Sequence, residues 1–173
     1  TGHGYDAAVA TTSPVPSLIP AETAARVGEL LAPPVTVTIT AEGSQRYAQA
    51  VGDLNPVYFD EGAARAAGYR TLIVPPTYVA YALVQGRPLG DIGVDGLFVG
   101  ERPIRLEVAR IMFGGEEWDF LAPVHVGDTI TASAEVLKVH ERKPVCQLAV
   151  RVTRQNGTTV LEGEAWCYQF PGR

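Results

Sequence analysis

The chain reads as an α+β domain in which a curved antiparallel sheet of about five strands wraps around one buried helix, with short helices before it. Three observations carry this reading. Between Pro76 and Gly86 nearly every residue is apolar, and a helix that is apolar all round is buried on all sides. From Ile104 onward the pattern is strand throughout. Asn156-Gly157, a strong short hairpin signal, separates the last two strands.

The elements follow in order. Residues 1–20 include Thr11-Thr12-Ser13-Pro14-Val15-Pro16-Ser17 and have few charges and no period. They read as an extended or disordered arm ahead of a single domain over 21–173. Residues 21–31 predict a short helix, opened by Pro20 and stopped by Pro33-Pro34. Val35 to Thr40 alternates Val and Ile with Thr, a strand pattern. Ser44 is a candidate cap for a helix running to about Val51. Gly52-Asp53-Leu54-Asn55-Pro56 must break that helix. A second short helix is expected over Asp60 to Ala67, with Asp60 as cap and Gly68 at its end.

Pro76 suits the first turn of the apolar helix and Gly86 the residue after its last, so the helix is expected over about 76–85. That is too short to span a bilayer. Residues 87–103 carry Gly90, Gly93, Gly96 and Gly100. They read as a surface loop, since no strand precedes them and no helix start with a Lys-Ser/Thr pair follows, as a phosphate cradle needs. Residues 104–113 and 116–121 flank Gly114-Gly115 and predict a hairpin. In 129–139, Ile130, Ala132, Ala134 and Val136 share one face. A two-residue turn at Asn156-Gly157 would set Val152 opposite Leu161, Leu148 opposite Ala165 and Cys146 opposite Cys167. The other face then pairs Arg151 with Glu162, and a one-residue slip would destroy both patterns.

Composition narrows the function. The net charge of −5 offers no basic field for a phosphate backbone, which argues against nucleic-acid binding. No stretch approaches the length of a membrane-spanning helix, and no basic segment leads into an apolar one at the start. The expected compartment is the cytoplasm. Two cysteines make no disulfide scaffold, and without further Cys or His ligands they close no zinc site. They read as reduced core residues, and neither metal nor organic cofactor is implied. A sheet wrapped on one apolar helix leaves one helix face to cover and sheet edges to protect, which favours a dimer.

The segment from Tyr47 to Tyr69 contains Gly52-Asp53-Leu54-Asn55-Pro56-Val57-Tyr58, with Ala64 six residues on. It resembles the signature of MaoC-like (R)-specific enoyl hydratases and 3-hydroxyacyl dehydratases: Gly-Asp-x-Asn-Pro, an aliphatic residue, His, five residues, then Ala or Ser. Ile73-Val74-Pro75-Pro76-Thr77 resembles the family's next block. Gly114 to Asp128 resembles a third, found in the FAS1-like dehydratase branch. The resemblance covers roughly residues 20–170. It implies a hot-dog fold that dimerises as a homodimer or a pseudo-symmetric heterodimer. It also implies action on acyl thioesters carried by CoA or acyl carrier protein.

The chain departs from that pattern at one position. The family's dyad is an Asp and a His five residues later; here Asp53 fills the first place and Tyr58 the second. A phenol titrates near ~10 and imidazole near ~6.5, so Tyr58 donates a hydrogen bond where His would exchange a proton. The resemblance makes Asp53 the main acid/base with Tyr58 assisting. Asn55 shapes the turn beside the substrate. The resemblance also implies that the start of the apolar helix, at Pro76 and Thr77, binds the thioester oxygen through a backbone N–H; prolines have none. His125, in a loop, and His140, near a strand end, read as surface residues. Three functions fit: an active hydratase or dehydratase, a non-catalytic hot-dog subunit beside a partner with the full dyad, or a redirected cyclase or isomerase using the same pocket.

Overall fold

The computed structural model describes residues 25, 27–30, 33–81, 108–140, 143 and 145–171, and of 108–113 and 168–171 the backbone alone. The expected arm over 1–20, most of the helix expected over 21–31, residues 82–85 of the helix expected over 76–85 and the glycine-rich stretch lie outside these residues. Within them the apolar helix runs only Pro76–Ala80, ended by Tyr81. The described elements are β1 (Val35–Thr38), α1 (Ala41–Val51), a 3-10 turn (Pro56–Tyr58), α2 (Glu61–Ala66), α3 (Pro76–Ala80), β2 (Val108–Phe120), β3 (Thr129–Val139), β4 (Val145–Arg154) and β5 (Thr159–Pro171). The strands form one antiparallel sheet in the order β1-β3-β4-β5-β2.

One sheet face carries the core. Ile130, Ala132, Ala134 and Val136 of β3 are buried with Cys146, Leu148, Val150 and Val152 of β4 and Leu161 and Cys167 of β5. Val74 and Val79, before and within α3, join the same cluster, so the apolar helix lies on the sheet's inner face. The final hairpin keeps the predicted pairs, Cys146 with Cys167, Leu148 with Ala165 and Arg151 with Glu162. Both cysteines are free and buried.

Four sequence expectations are corrected. Gly114-Gly115 makes no hairpin, because β2 runs unbroken along β5 and the glycines sit at a register shift between Phe113 and Gly115. The turn of the last hairpin is longer than two residues: Arg154 N–H bonds the Thr158 carbonyl and Gly157 N–H the Arg154 carbonyl. Gly157 takes a left-handed φ of 82°, and a register shift beyond Val152 returns the strands to the predicted pairing. Thr40, not Ser44, caps α1, its side chain accepting from Gly43 N–H, while Ser44 is buried inside the helix. Val27–Leu30 form no helix: Gly28 N–H bonds Val136 O, and Leu30 pairs with Glu135.

Candidate active site

The site begins where α1 ends. Gly52 adopts φ 76°, a left-handed turn that glycine takes without strain. This turns the chain so that Asp53 N–H bonds the Ala48 carbonyl at 2.9 Å and its side chain stands exposed just past the helix. Asn55 opens the 3-10 turn. Its side-chain oxygen accepts from Val57 N–H at 3.2 Å, and its carbonyl accepts from Tyr58 N–H at 3.1 Å. Pro56 follows at the first helical position, where its missing N–H costs nothing. Gln45 of α1 donates from Nε2 to the Tyr58 carbonyl at 3.3 Å. These bonds bring Tyr58 back against α1, buried with Ala48 and Ile73.

Asp53 and Tyr58 therefore meet. Burial, the Asp53 charge and a hydrogen bond to that carboxylate push the phenol up to about 12. At working pH Tyr58 is a neutral phenol that can donate a hydrogen bond. Asn55 is committed to the turn, as its residue type suggests. Pro76 and Thr77 are exposed at the start of α3, a few residues beyond the Ile73 that packs on Tyr58. Pro75 and Pro76 carry no N–H, and Tyr78 N–H bonds the Pro75 carbonyl at 2.9 Å. Within residues 75–78, Thr77 is thus the N–H available to a ligand.

The reading of His125 as a surface residue is corrected. It is buried, because residues 124–126 pair with 72–74: Val74 N–H bonds Val124 O, Val126 N–H bonds Leu72 O, and Ile73 bridges His125. Beside it lies Asp128, 1 % exposed. The Asp128 carboxylate accepts from His125 N–H at 2.9 Å, from Arg70 Nη2 at 2.5 Å and from Gln155 Nε2 at 3.2 Å. Burial would raise it, but these donors together hold Asp128 below its ordinary range. Arg70 thus serves Asp128, whereas Arg46 and Arg65 face Glu42 and Glu61 one turn away on their own helices. The signal for this cluster was Gly127-Asp128, a turn pair at the start of a strand. Its partners come from distant segments and leave no spacing to read. Among the described residues, no group of three or more His, Cys, Asp or Glu could hold a metal ion, and no helix is long and apolar enough to cross a membrane.

An apolar helix on the inner face of a five-stranded antiparallel sheet defines the hot-dog fold. Solved structures agree. The (R)-hydratase from A. caviae involved in PHA biosynthesis superposes with TM-score 0.64 at 26% identity, covering 84% of this chain and 96% of that one. The HadBC (3R-hydroxyacyl-ACP dehydratase) complex from Mycobacterium tuberculosis shares the fold, with TM-score 0.61 at 23% identity over 82% of this chain and 96% of the other. In sequence, a UPF0336 protein of Streptomyces griseus is 32% identical over 78% of this chain and 86% of its own length. Residues 25–163 match the family described as "FAS1-like, dehydratase domain region". The chain belongs to that family.

Proposed function

We propose that the chain serves the reversible hydration of 2-enoyl thioesters to 3-hydroxyacyl thioesters, on CoA or acyl carrier protein, with Asp53 as the acid/base. What supports this is that Asp53 and Tyr58 occupy the family's dyad positions and lie close enough for the Asp53 charge to help raise the Tyr58 phenol. In hydration, the Asp53 carboxylate takes one proton from a water whose oxygen bonds to C3. The same carboxyl then gives a proton to C2, so water's hydroxyl and one hydrogen are added across the double bond. Tyr58 donates to the carboxylate and holds its orientation. Thr77 N–H faces the thioester oxygen, where negative charge develops as C3 is attacked. Dehydration is the reverse.

A second reading has its own support. Tyr58 stays neutral across working pH, so it cannot exchange a proton near 7 as a His at that position would. Asp53 also stands exposed on the single chain, leaving a wall of the pocket for another chain to supply. One structural neighbour is a heteromeric dehydratase complex. In this reading the chain shapes an acyl pocket beside a partner that carries the Asp/His pair.

Crotonyl-thioester hydration by the purified chain tests both. Asp53→Asn should lower the rate at least ~100-fold, the scale of a lost general acid/base, with the fold intact. Turnover unchanged in that variant removes Asp53 from the mechanism. No turnover by the wild-type chain alone, restored by a partner hot-dog chain, establishes the second reading.

A further inference from the structure

We propose that His125 is a positioning residue that holds Tyr58 against Asp53 through Tyr69, and that it lets go when its ring is protonated. The inference rests on the Asp53–Tyr58 pair being the reacting site.

The contacts are continuous. Tyr58 is buried with Ile73, and Tyr69 packs against that cluster. Ile73 bridges His125 through the backbone. Tyr69 meets the imidazole edge-on, with ring centroids 6.3 Å apart. Tyr69 itself is set by its N–H bond to the Ala64 carbonyl at 3.0 Å, and Arg70, next to it, is tied to Asp128. A shift of the His125 ring therefore bears on Tyr69 and, through the cluster against which Tyr69 packs, on Tyr58.

The ring has a reason to shift. His125 Nδ1 is buried and, among the described residues, has no hydrogen-bond partner. It stands 3.7 Å from Asp128 Oδ2, too far for a hydrogen bond. A phenylalanine would fill the place without stranding a nitrogen there. On protonation Nδ1 gains a hydrogen aimed at a carboxylate, and a charge-assisted bond closes to about 2.8 Å. That draws the ring toward Asp128 and off the Tyr69 edge. The groups facing His125 oppose one another. Asp128, on its own loop, favours the charged ring, and Arg70, from the segment before α3, opposes it. Arg154, at the end of β4, opposes it as well. Burial adds to the two arginines and keeps the ring neutral at neutral pH.

The test is tyrosine ring-carbon NMR of the full chain from about pH 8 to about pH 5, spanning histidine titration. Tyr58→Phe and Tyr69→Phe assign the two signals. In the wild type both signals should move with the titration of the His125 ring. His125→Phe, or His125→Gln if the first fails to fold, should abolish that movement and leave any response to His140. Flat tyrosine signals while His125 titrates would overturn the proposal. So would unchanged movement in the variant, or a His125 that never titrates in the folded protein. Where the chain hydrates crotonyl thioester, kcat should lose one acid-side inflection in His125→Phe with KM unchanged. A chain with no hydration but coupled tyrosine signals overturns the acid/base reading of Asp53 and leaves the coupling standing. An active chain with flat signals overturns the coupling alone.

Discussion

Tyr58 is the residue on which the chemistry turns. Its phenol is buried and pushed up to about 12, so it can give a hydrogen bond but takes no proton. Tyr58→Phe removes only that donor. If Asp53 works as the acid/base, the variant should turn over crotonyl thioester more slowly by roughly tenfold, the weight of one hydrogen bond to a charged group. Tyr58→His restores a group titrating near 7 and should keep or raise the rate. If the chain is a non-catalytic subunit, Phe should change nothing, and His should create weak hydration where none existed. Initial rates of the three proteins, measured alone and with a partner chain, separate these outcomes.

At the scale of elements, the β2–β5 ladder shows two constraints. Gly163 lies opposite Trp118, and a Cβ on Gly163 would overlap the Glu117 carbonyl and the Trp118 ring. Gly163→Ala should therefore pry the two strands apart and cost about 1–3 kcal/mol, as overpacking does, read as a lower urea midpoint. On the outer face Glu117 lies opposite Glu164 and Asp119 opposite Glu162. Like charges directly opposite destabilise a ladder. Arg151, 3.6 Å from Glu162, and Gln147, bonded to Glu164, offset this from the other side. Glu117→Lys should stabilise by about 0.2–1 kcal/mol in low salt and by less in high salt, since screening removes the repulsion it relieves. A thermal midpoint that drops in low salt would refute this.

For the whole molecule, the buried titratable groups predict a stability maximum near neutral pH. On the acid side, His125 is held below its ordinary 6.5 by burial first and Arg70 next. The unfolded chain then takes up a proton that the folded chain refuses, so stability falls as pH drops below about 6.5. Asp128, held below 3.8, adds a further loss as pH falls beneath that value. On the alkaline side, burial pushes Cys146 from 9.0 to about 11 and Cys167 to about 12, and Tyr58 rises from 10.0 to about 12. The unfolded chain ionises these groups first, so stability falls from about pH 9 upward. Urea midpoints across pH should trace this dome, and His125→Phe should flatten its shoulder just below 6.5. The same burial predicts that neither thiol reacts with a disulfide reagent at pH 8 until the chain is unfolded. Fast modification of the native protein would show that the β4–β5 core opens.

Much of this was legible in the chain itself. Period-two alternation picked the inner faces of β3, β4 and β5, because only one register buries every apolar side chain of the last hairpin at once. The apolar run after Pro76 marked the central helix, since such a surface has no stable home in water. Asp53 and Tyr58 stood out because Gly52 to Tyr58 resembles the MaoC-like signature, which no local period or composition would have shown. Other features were decided only by tertiary structure. Gly114-Gly115 looked like a turn, yet pairing with β5 along the whole of β2 overrode the local signal. His125 looked exposed because nothing near it in sequence covers it. It is covered by Ile73 and Tyr69, some fifty residues earlier, and the Asp128 beside it accepts from Arg70 and Gln155 on opposite sides in sequence. Local pattern reports what a few neighbouring residues prefer. Contacts between distant segments carry no period and come into being only when the sheet closes over the helix.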